Sequence, residues 1–275
     1  MQTELIECFR DTQRMVKENR ALRRATRSMQ AGTLLYLPGY EAISPVLRSQ
    51  GAPLRVLGDT TFHCAQAFSD RGRTAVLNFA NAYNPGGGVL HGAMAQEECL
   101  CRSSNLYFAL TLPYLLRNYY KHNARTIGDL GTDSVIYSPG VTVFKSDDPV
   151  PMPIPVPFQV DVLTCAAPYV DPDRRKPIPR EKLGEAMTGR IRNILEVASA
   201  HEVEFLVLGA FGCGAFNNPP ELVARVFRAL LREERMADRF REVVFAIKPG
   251  GASENNLRVF SRILGEEGGF PGEGT

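Results

Sequence analysis

NAYNPGGGVLHGAMAQEECLCRSSNLY, residues 81–107, is a glycine-rich turn held between a strand and a helix. The run Ala75-Val76-Leu77-Asn78-Phe79-Ala80 precedes it. That run is apolar at nearly every position, which predicts a strand over 73–80 covered on both faces. Asn84-Pro85 makes the turn, and Gly86, Gly87 and Gly88 follow. A glycine triplet lets the backbone approach a ligand and turn its N–H groups toward it, because no Cβ intervenes and positive φ is free. Seven residues later Gln96, Glu97 and Glu98 open a predicted helix. Glutamates in a first helical turn are favoured by the macrodipole alone. Two adjacent carboxylates beside a glycine loop are also a candidate acid/base site.

A second loop of this kind lies further along. The strand predicted at 204–209 runs into Ala210-Phe211-Gly212-Cys213-Gly214-Ala215-Phe216, and Pro219-Pro220-Glu221-Leu222 then starts a helix. Backbone N–H groups and a helix N-terminus meet there, the geometry of an anion site. By itself the Gly-x-Gly is a weak motif.

Around these two loops strands alternate with helices. Short strands are predicted at 33–37 and 54–57, and buried ones at 160–167 and 242–248. The segment 135–144 reads as a strand broken by Pro139-Gly140. Prolines at every second position from Pro149 to Pro157 predict an extended surface connector and not a central strand. Leu183, Met187, Ile191, Ile194, Leu195 and Ala198 mark an amphipathic helix within 181–200. Shorter helices follow around 222–230 and 256–264. The alternation gives one α/β domain, a mostly parallel sheet between helical layers. Residues 1–32 form a polar helical extension leaning on it by Leu5, Phe9 and Val16, the domain spans 33–264, and 265–275 is a flexible tail without apolar content.

Composition removes several classes. The balance of 32 basic against 30 acidic residues, net +2, offers no footprint for sequence-specific DNA binding. No run is long and apolar enough to span a bilayer, and no signal-peptide core is visible. The expectation is a soluble, cytoplasmic monomer with no membrane partner. Cys8, Cys64, Cys99, Cys101, Cys165 and Cys213 show no paired framework, so reduced thiols are expected. Neither cysteine nor histidine spacing suits a zinc site, and neither a metal nor a cofactor is expected. Cys213 as a nucleophile has no histidine near it in sequence, and a small loop residue explains it as well.

The pattern GGG-x7-QEE resembles the signature of the poly(ADP-ribose) glycohydrolases, in particular the bacterial type, within the macrodomain superfamily. CRSSNLY after the QEE, the Ile136-Tyr137-Ser138-Pro139 element leading to Val143-Phe144, and the 212–216 loop with its aromatic resemble the same family. The likeness covers nearly the whole chain from about Arg24. It implies a macrodomain-like three-layer α/β/α fold with a mixed, mostly parallel sheet. It further implies hydrolysis of the ribose–ribose bonds of poly(ADP-ribose), or of ADP-ribosylated protein, with ADP-ribose as product and a place in the DNA damage response. A strand followed by Gly58-Asp59-Thr60 resembles the adenine-reading corner of macrodomains, so Thr60 either touches adenine or caps a helix.

In that resemblance the diphosphate lies over Gly212, Cys213, Gly214, Ala215 and Phe216. The distal ribose lies over Gly86, Gly87 and Gly88, near Asn81. Phe216 packs on ribose or base, or else anchors the loop. Opposed carboxylates do most glycosidase chemistry, but helical neighbours diverge by about 100°. Glu97 and Glu98 therefore suggest one acid/base group and one ribose-positioning group. The family pattern gives the catalytic role to Glu98, with Gln96 fixing the loop. Two other readings stay open: a reader that binds ADP-ribose without cleaving it, and a hydrolase of single ADP-ribose units on protein or nucleic acid.

Overall fold

The apolar run before the glycine loop becomes β3 (Thr74–Phe79), the middle strand of seven. The structure, a computed structural model, describes residues 1–265 apart from 44, 126–129, 149, 174 and 252. The other strands are β1 (Leu34–Tyr36), β2 (Leu54–Leu57), β4 (Val135–Lys145), β5 (Pro153–Cys165), β6 (Phe205–Leu208) and β7 (Glu242–Ala246). Their spatial order is β1-β4-β5-β3-β6-β7-β2. Every pairing from β5 across to β2 is parallel, while β1-β4 and β4-β5 are antiparallel. The sheet is mixed and mostly parallel, as the alternation predicts.

Side chains alternate across the pleat, and this splits the core in two. Ala75, Leu77, Leu206 and Phe245 pack under α8 (Arg180–Ala200), α9 (Pro220–Arg228) and α10 (Ser253–Leu264). Val76, Val162, Val207 and Val244 face the other way. There they meet α3 (Thr61–Gln66), α4 (Gln96–Ser103) and the short turns α5 (Leu106–Leu110) and α6 (Pro113–Leu115), with α7 (Lys121–Arg125) following in sequence. The result is three layers.

Two strand expectations need correction. Pro139-Gly140 does not break β4. The ladder shifts register between Ser138 and Val141, with Gly140 at φ +61°, so the Pro-Gly makes a bulge and pairing resumes. The prolines after 149 are not a connector either, since Pro153, Pro155 and Pro157 lie inside β5. The ladder to β3 begins only at Asp161, so the proline half pairs with β4 alone. Proline is tolerated where one strand edge has no partner. The predicted tail from 266 onward lies outside the described residues.

The N-terminal helices α1 (Gln2–Glu18) and α2 (Arg20–Gly32) do more than lean. Asn19 ends one and caps the other, its Oδ1 accepting from the N–H groups of Ala21 and Leu22. Leu5, Phe9 and Val16 are all buried, each contributing about 1.5–3 kcal/mol on burial. Lys145 at the end of β4 is also buried, and its Nζ donates to Asp11 Oδ2 at 2.8 Å, Thr12 Oγ1 at 2.9 Å and the Cys8 carbonyl at 3.3 Å. Asp11 remains 37% exposed, so water offsets part of its loss. Asp11→Ala should destabilise the fold by about 1–2 kcal/mol in thermal unfolding.

Candidate active site

A cleft of about 530 Å³ opens at the carboxyl ends of the parallel strands. Ligands of open α/β sheets sit in that position. Its wall takes Asp59 and Thr60 after β2, Asn81 after β3, residues 210–212 and 214–216 after β6 and Lys248 after β7. The first turn of α4 closes one side with Gln96, Glu97 and Glu98.

All three α4 side chains are fixed by the end of β3 and its loop. Gln96 Oε1 accepts from the Phe79 N–H at 2.9 Å, while its Nε2 donates to the Leu77 carbonyl at 2.8 Å and Thr61 Oγ1 at 3.1 Å. Glu97 Oε2 accepts from the Asn81 N–H at 2.7 Å, and Oε1 from Asn78 Nδ2 at 3.3 Å. Glu98 Oε1 accepts from the Gly88 N–H at 2.8 Å. Its other oxygen, Oε2, is buried without a hydrogen-bond partner among the described residues. Behind them Arg102 is fully buried and donates to the Ala93 carbonyl at 2.6 Å, tying α4 to its own loop.

The glycine loop serves the carboxylates directly. Gly86, Gly87 and Gly88 do not line the cleft. The Gly87 N–H goes to the Asn84 carbonyl, that of Gly88 to Glu98, and that of Gly86 to Glu97. The expectation that these N–H groups face a ligand is therefore corrected. Gly87 has φ +57°, and a Cβ there would lie 3.1 Å from Glu97 Oε2 and closer still to Glu98 Oε1. Both carboxylates bracket this one residue, so the 100° helical divergence does not keep them apart.

The second loop keeps its donors open. Cys213 N–H bonds the Ala210 carbonyl and Asn217 N–H the Gly214 carbonyl. The N–H groups of Gly212, Gly214, Ala215 and Phe216 have no acceptor among the described residues. Asn218, buried, braces the loop by donating to the carbonyls of Pro168 and Gly212. Cys213 does not line the cleft; its thiol donates to the Phe211 carbonyl and packs on the core, and burial raises its pKa. That disposition favours the small-loop-residue reading over the nucleophile. Phe216 is half-buried and faces the cleft. Lys248 is the one cationic side chain among the described residues of the wall.

At the far end Thr60 precedes α3 but makes no cap with its side chain. Asp147 takes that role from just after β4. One of its oxygens accepts from the Phe62 N–H and the other from Thr60 Oγ1, each at 2.7 Å. Asp147 is buried, lines the cleft, and burial raises its pKa. Sequence reasoning missed it, because nothing local links Asp147 to a helix 85 residues earlier. Asn78 was hidden by its apolar neighbours in the same way.

Comparison with known proteins now decides the family. Residues 4–146, just over half of the chain, match the family described as microbial-type PARG, catalytic domain. The chain is similar to the crystal structure of poly(ADP-ribose) glycohydrolase from Thermomonospora curvata. That match has 32% identity and TM-score 0.80, and covers 94% of this chain and 98% of that one. The chain belongs to the microbial-type poly(ADP-ribose) glycohydrolases. The Deinococcus radiodurans glycohydrolase in complex with ADP-ribose is also similar, at 37% identity and TM-score 0.76 over 87% of this chain and 96% of that one. So is the Thermomonospora curvata glycohydrolase bound to the inhibitor ADP-HPD, at 32% identity and TM-score 0.78 over 94% and 98%. No match was found among curated protein sequences. The three-layer sheet is thus a macrodomain-like fold, and the protein is a glycohydrolase acting on poly(ADP-ribose).

Within this glycohydrolase Glu97, like Asp147, is a cleft carboxyl whose titration is displaced upward. Burial drives its pKa from the ordinary 4.5 up to about 8, with the Glu98 charge adding to the rise and the Asn81, Asn78 and Gly86 donors opposing it. Folding therefore takes up a proton between pH 4.5 and about 8. The stability tied to that proton is complete below 4.5 and is lost as pH rises to about 8. Gln mimics the protonated form and does not titrate. The Tm of Glu97→Gln should rise relative to wild type as pH increases across that window, and the gap should be flat below it.

Proposed function

We propose that Glu98 is the general acid and base of this glycohydrolase and that Glu97 positions the terminal ribose. The observation that carries this is the unpartnered Oε2 of Glu98, a buried carboxylate oxygen beside the cleft whose sister oxygen is held by Gly88. Unsatisfied buried polar atoms are rare, and a catalytic role is one explanation for them. Both oxygens of Glu97 already accept hydrogen bonds, which suits a fixed positioning group.

ADP-ribose lies along the cleft in this proposal. Its diphosphate meets the four open N–H groups of the 212–216 loop and Lys248, charge-assisted contacts of the strong kind. Its adenine end reaches Thr60 and Asp147, and Phe216 packs on the sugar. The terminal ribose sits by Asn81 and the two carboxylates, over the wall that Gly86, Gly87 and Gly88 support from behind.

Glu98 Oε2 then donates a proton to the leaving 2′-oxygen as the glycosidic C–O bond breaks through an oxocarbenium-like state. The resulting carboxylate takes a proton from the water that adds to the anomeric carbon, which restores Glu98. A single acid/base group suffices.

We also divide the chain into an extension (1–32) and a catalytic domain (33–264). Its place in this reading is the cytoplasm and the DNA damage response. The six unpaired cysteines support a reducing compartment. We take it to act as a monomer, since every group named above comes from one chain. Incubation with polymer, with mono-modified protein and with modified DNA, followed by product identification, tests the substrate range. ADP-ribose released from polymer alone is expected, and release from either mono-modified substrate at a comparable rate would overturn that selectivity.

A further inference from the structure

A second cavity, of about 230 Å³, adjoins the cleft. The two share Asn81, Ala167 and Phe216, so the boundary between them runs beside the carboxylates. Asn81 marks the junction. Its backbone N–H holds Glu97, and its Oδ1 accepts from the N–H groups of Tyr83 and Asn84 at 2.9 Å each. Its amide nitrogen has no acceptor among the described residues and is a free donor there.

The cavity has a rigid floor. Asn123 Nδ2 donates to the Ala82 carbonyl at 3.1 Å, and Asn123 Oδ1 accepts from Thr132 Oγ1 at 2.9 Å. Arg190, fully buried, donates to the carbonyls of Ala166 and Leu130 at 2.6 Å each and pairs with Asp133. Its charge is spent inside, so the cavity offers no free cation from Arg190 for a phosphate. What it presents outward is aromatic. Tyr83 and Tyr169 are 56% and 48% exposed, unusual for large rings, and Tyr169 meets Phe216 edge-on at 5.9 Å.

The substrate is a chain, so the 2′-oxygen leaving Glu98 carries the adenosine of the preceding unit. That adenosine must emerge beside the carboxylates. We infer that the second cavity receives this purine nucleoside, with its base against the Tyr83 and Tyr169 rings and its ribose within reach of the Asn81 amide. The volume is below the 300–1,000 Å³ usual for whole ligands, and suits a nucleoside better than a second complete ADP-ribose. Aromatic platforms hold a base by its π-face, and among the described lining residues no open cation meets the preceding diphosphate.

The inference rests on the cleft reading above, and two readouts separate them: calorimetric binding of ADP-ribose, and KM with kcat on poly(ADP-ribose). The double variant Tyr83→Ala/Tyr169→Ala should raise KM for polymer roughly ten-fold or more, as expected for lost stacking. Its ADP-ribose affinity should stay within about two-fold of wild type. The double Tyr→Phe variant, which keeps both rings, should restore KM. An unchanged polymer KM in a protein that binds ADP-ribose normally would overturn the nucleoside site alone. ADP-ribose affinity falling in step with polymer KM would also overturn it, since the rings would then belong to the first cleft. Wild-type protein that fails to bind ADP-ribose would sink the cleft reading and this inference together.

Discussion

Glu98→Gln is expected to lower the turnover of poly(ADP-ribose) by roughly 10²–10⁴, the usual contribution of a positioned acid/base group. The amide keeps the volume of the carboxylate, and its oxygen can still accept from Gly88 N–H at the position of Oε1. It cannot supply or take a proton from the side of Oε2. Affinity for ADP-ribose should therefore stay within a few-fold of wild type. Single-turnover hydrolysis beside a calorimetric titration separates the two effects. Polymer turnover by this variant near the wild-type rate would remove Glu98 from the mechanism.

Gly214→Val should fold as wild type and lose roughly 30- to 1,000-fold in ADP-ribose affinity, about 2–4 kcal/mol. The backbone path at this position does not require glycine. Gly214 is exposed, lacks a left-handed φ, and a Cβ on it would meet nothing within 4 Å. It nevertheless lines the cleft. A valine is harmless to the empty protein and collides only with a molecule lying on the loop. Gly212 is the opposite case: φ is +72°, and a Cβ would sit 2.5 Å from Ala167 Cβ and 2.6 Å from Asn218 Nδ2. Substitution there damages the fold and says nothing about binding. Gly214→Val with unchanged melting and unchanged ADP-ribose affinity would make the 212–216 loop a structural turn.

What could be read in the sequence was what is local. A strand, a glycine turn and a helix within 30 residues declare themselves by hydrophobic pattern and by residues with special backbone freedom. Gln96, Glu97, Glu98 and the 212–216 loop were visible on those grounds. The direction of the N–H groups at Gly86, Gly87 and Gly88 was not, because it depends on carboxylates arriving from α4. Asp147 and Asn78 were invisible for a related reason. Their roles come from partners across the sheet, Phe62 and Thr60 for one, Glu97 and Thr164 for the other. The prolines of β5 misled through a rule that holds only when both strand edges need partners. The N-terminal helices were legible as helices, but their hold on Lys145 and on the loop at His91, through Gln2 Nε2 at 2.8 Å, required the fold.

The most direct test of Glu98 as acid is a crystal structure of the Glu98→Gln protein holding a short poly(ADP-ribose) oligomer. The bridging 2′-oxygen at the terminal ribose is predicted to lie about 3 Å from the side-chain atom that replaces Oε2, with the diphosphate on the 212–216 loop. A bridging oxygen placed instead against Glu97, or beyond hydrogen-bond reach of residue 98, would contradict the mechanism.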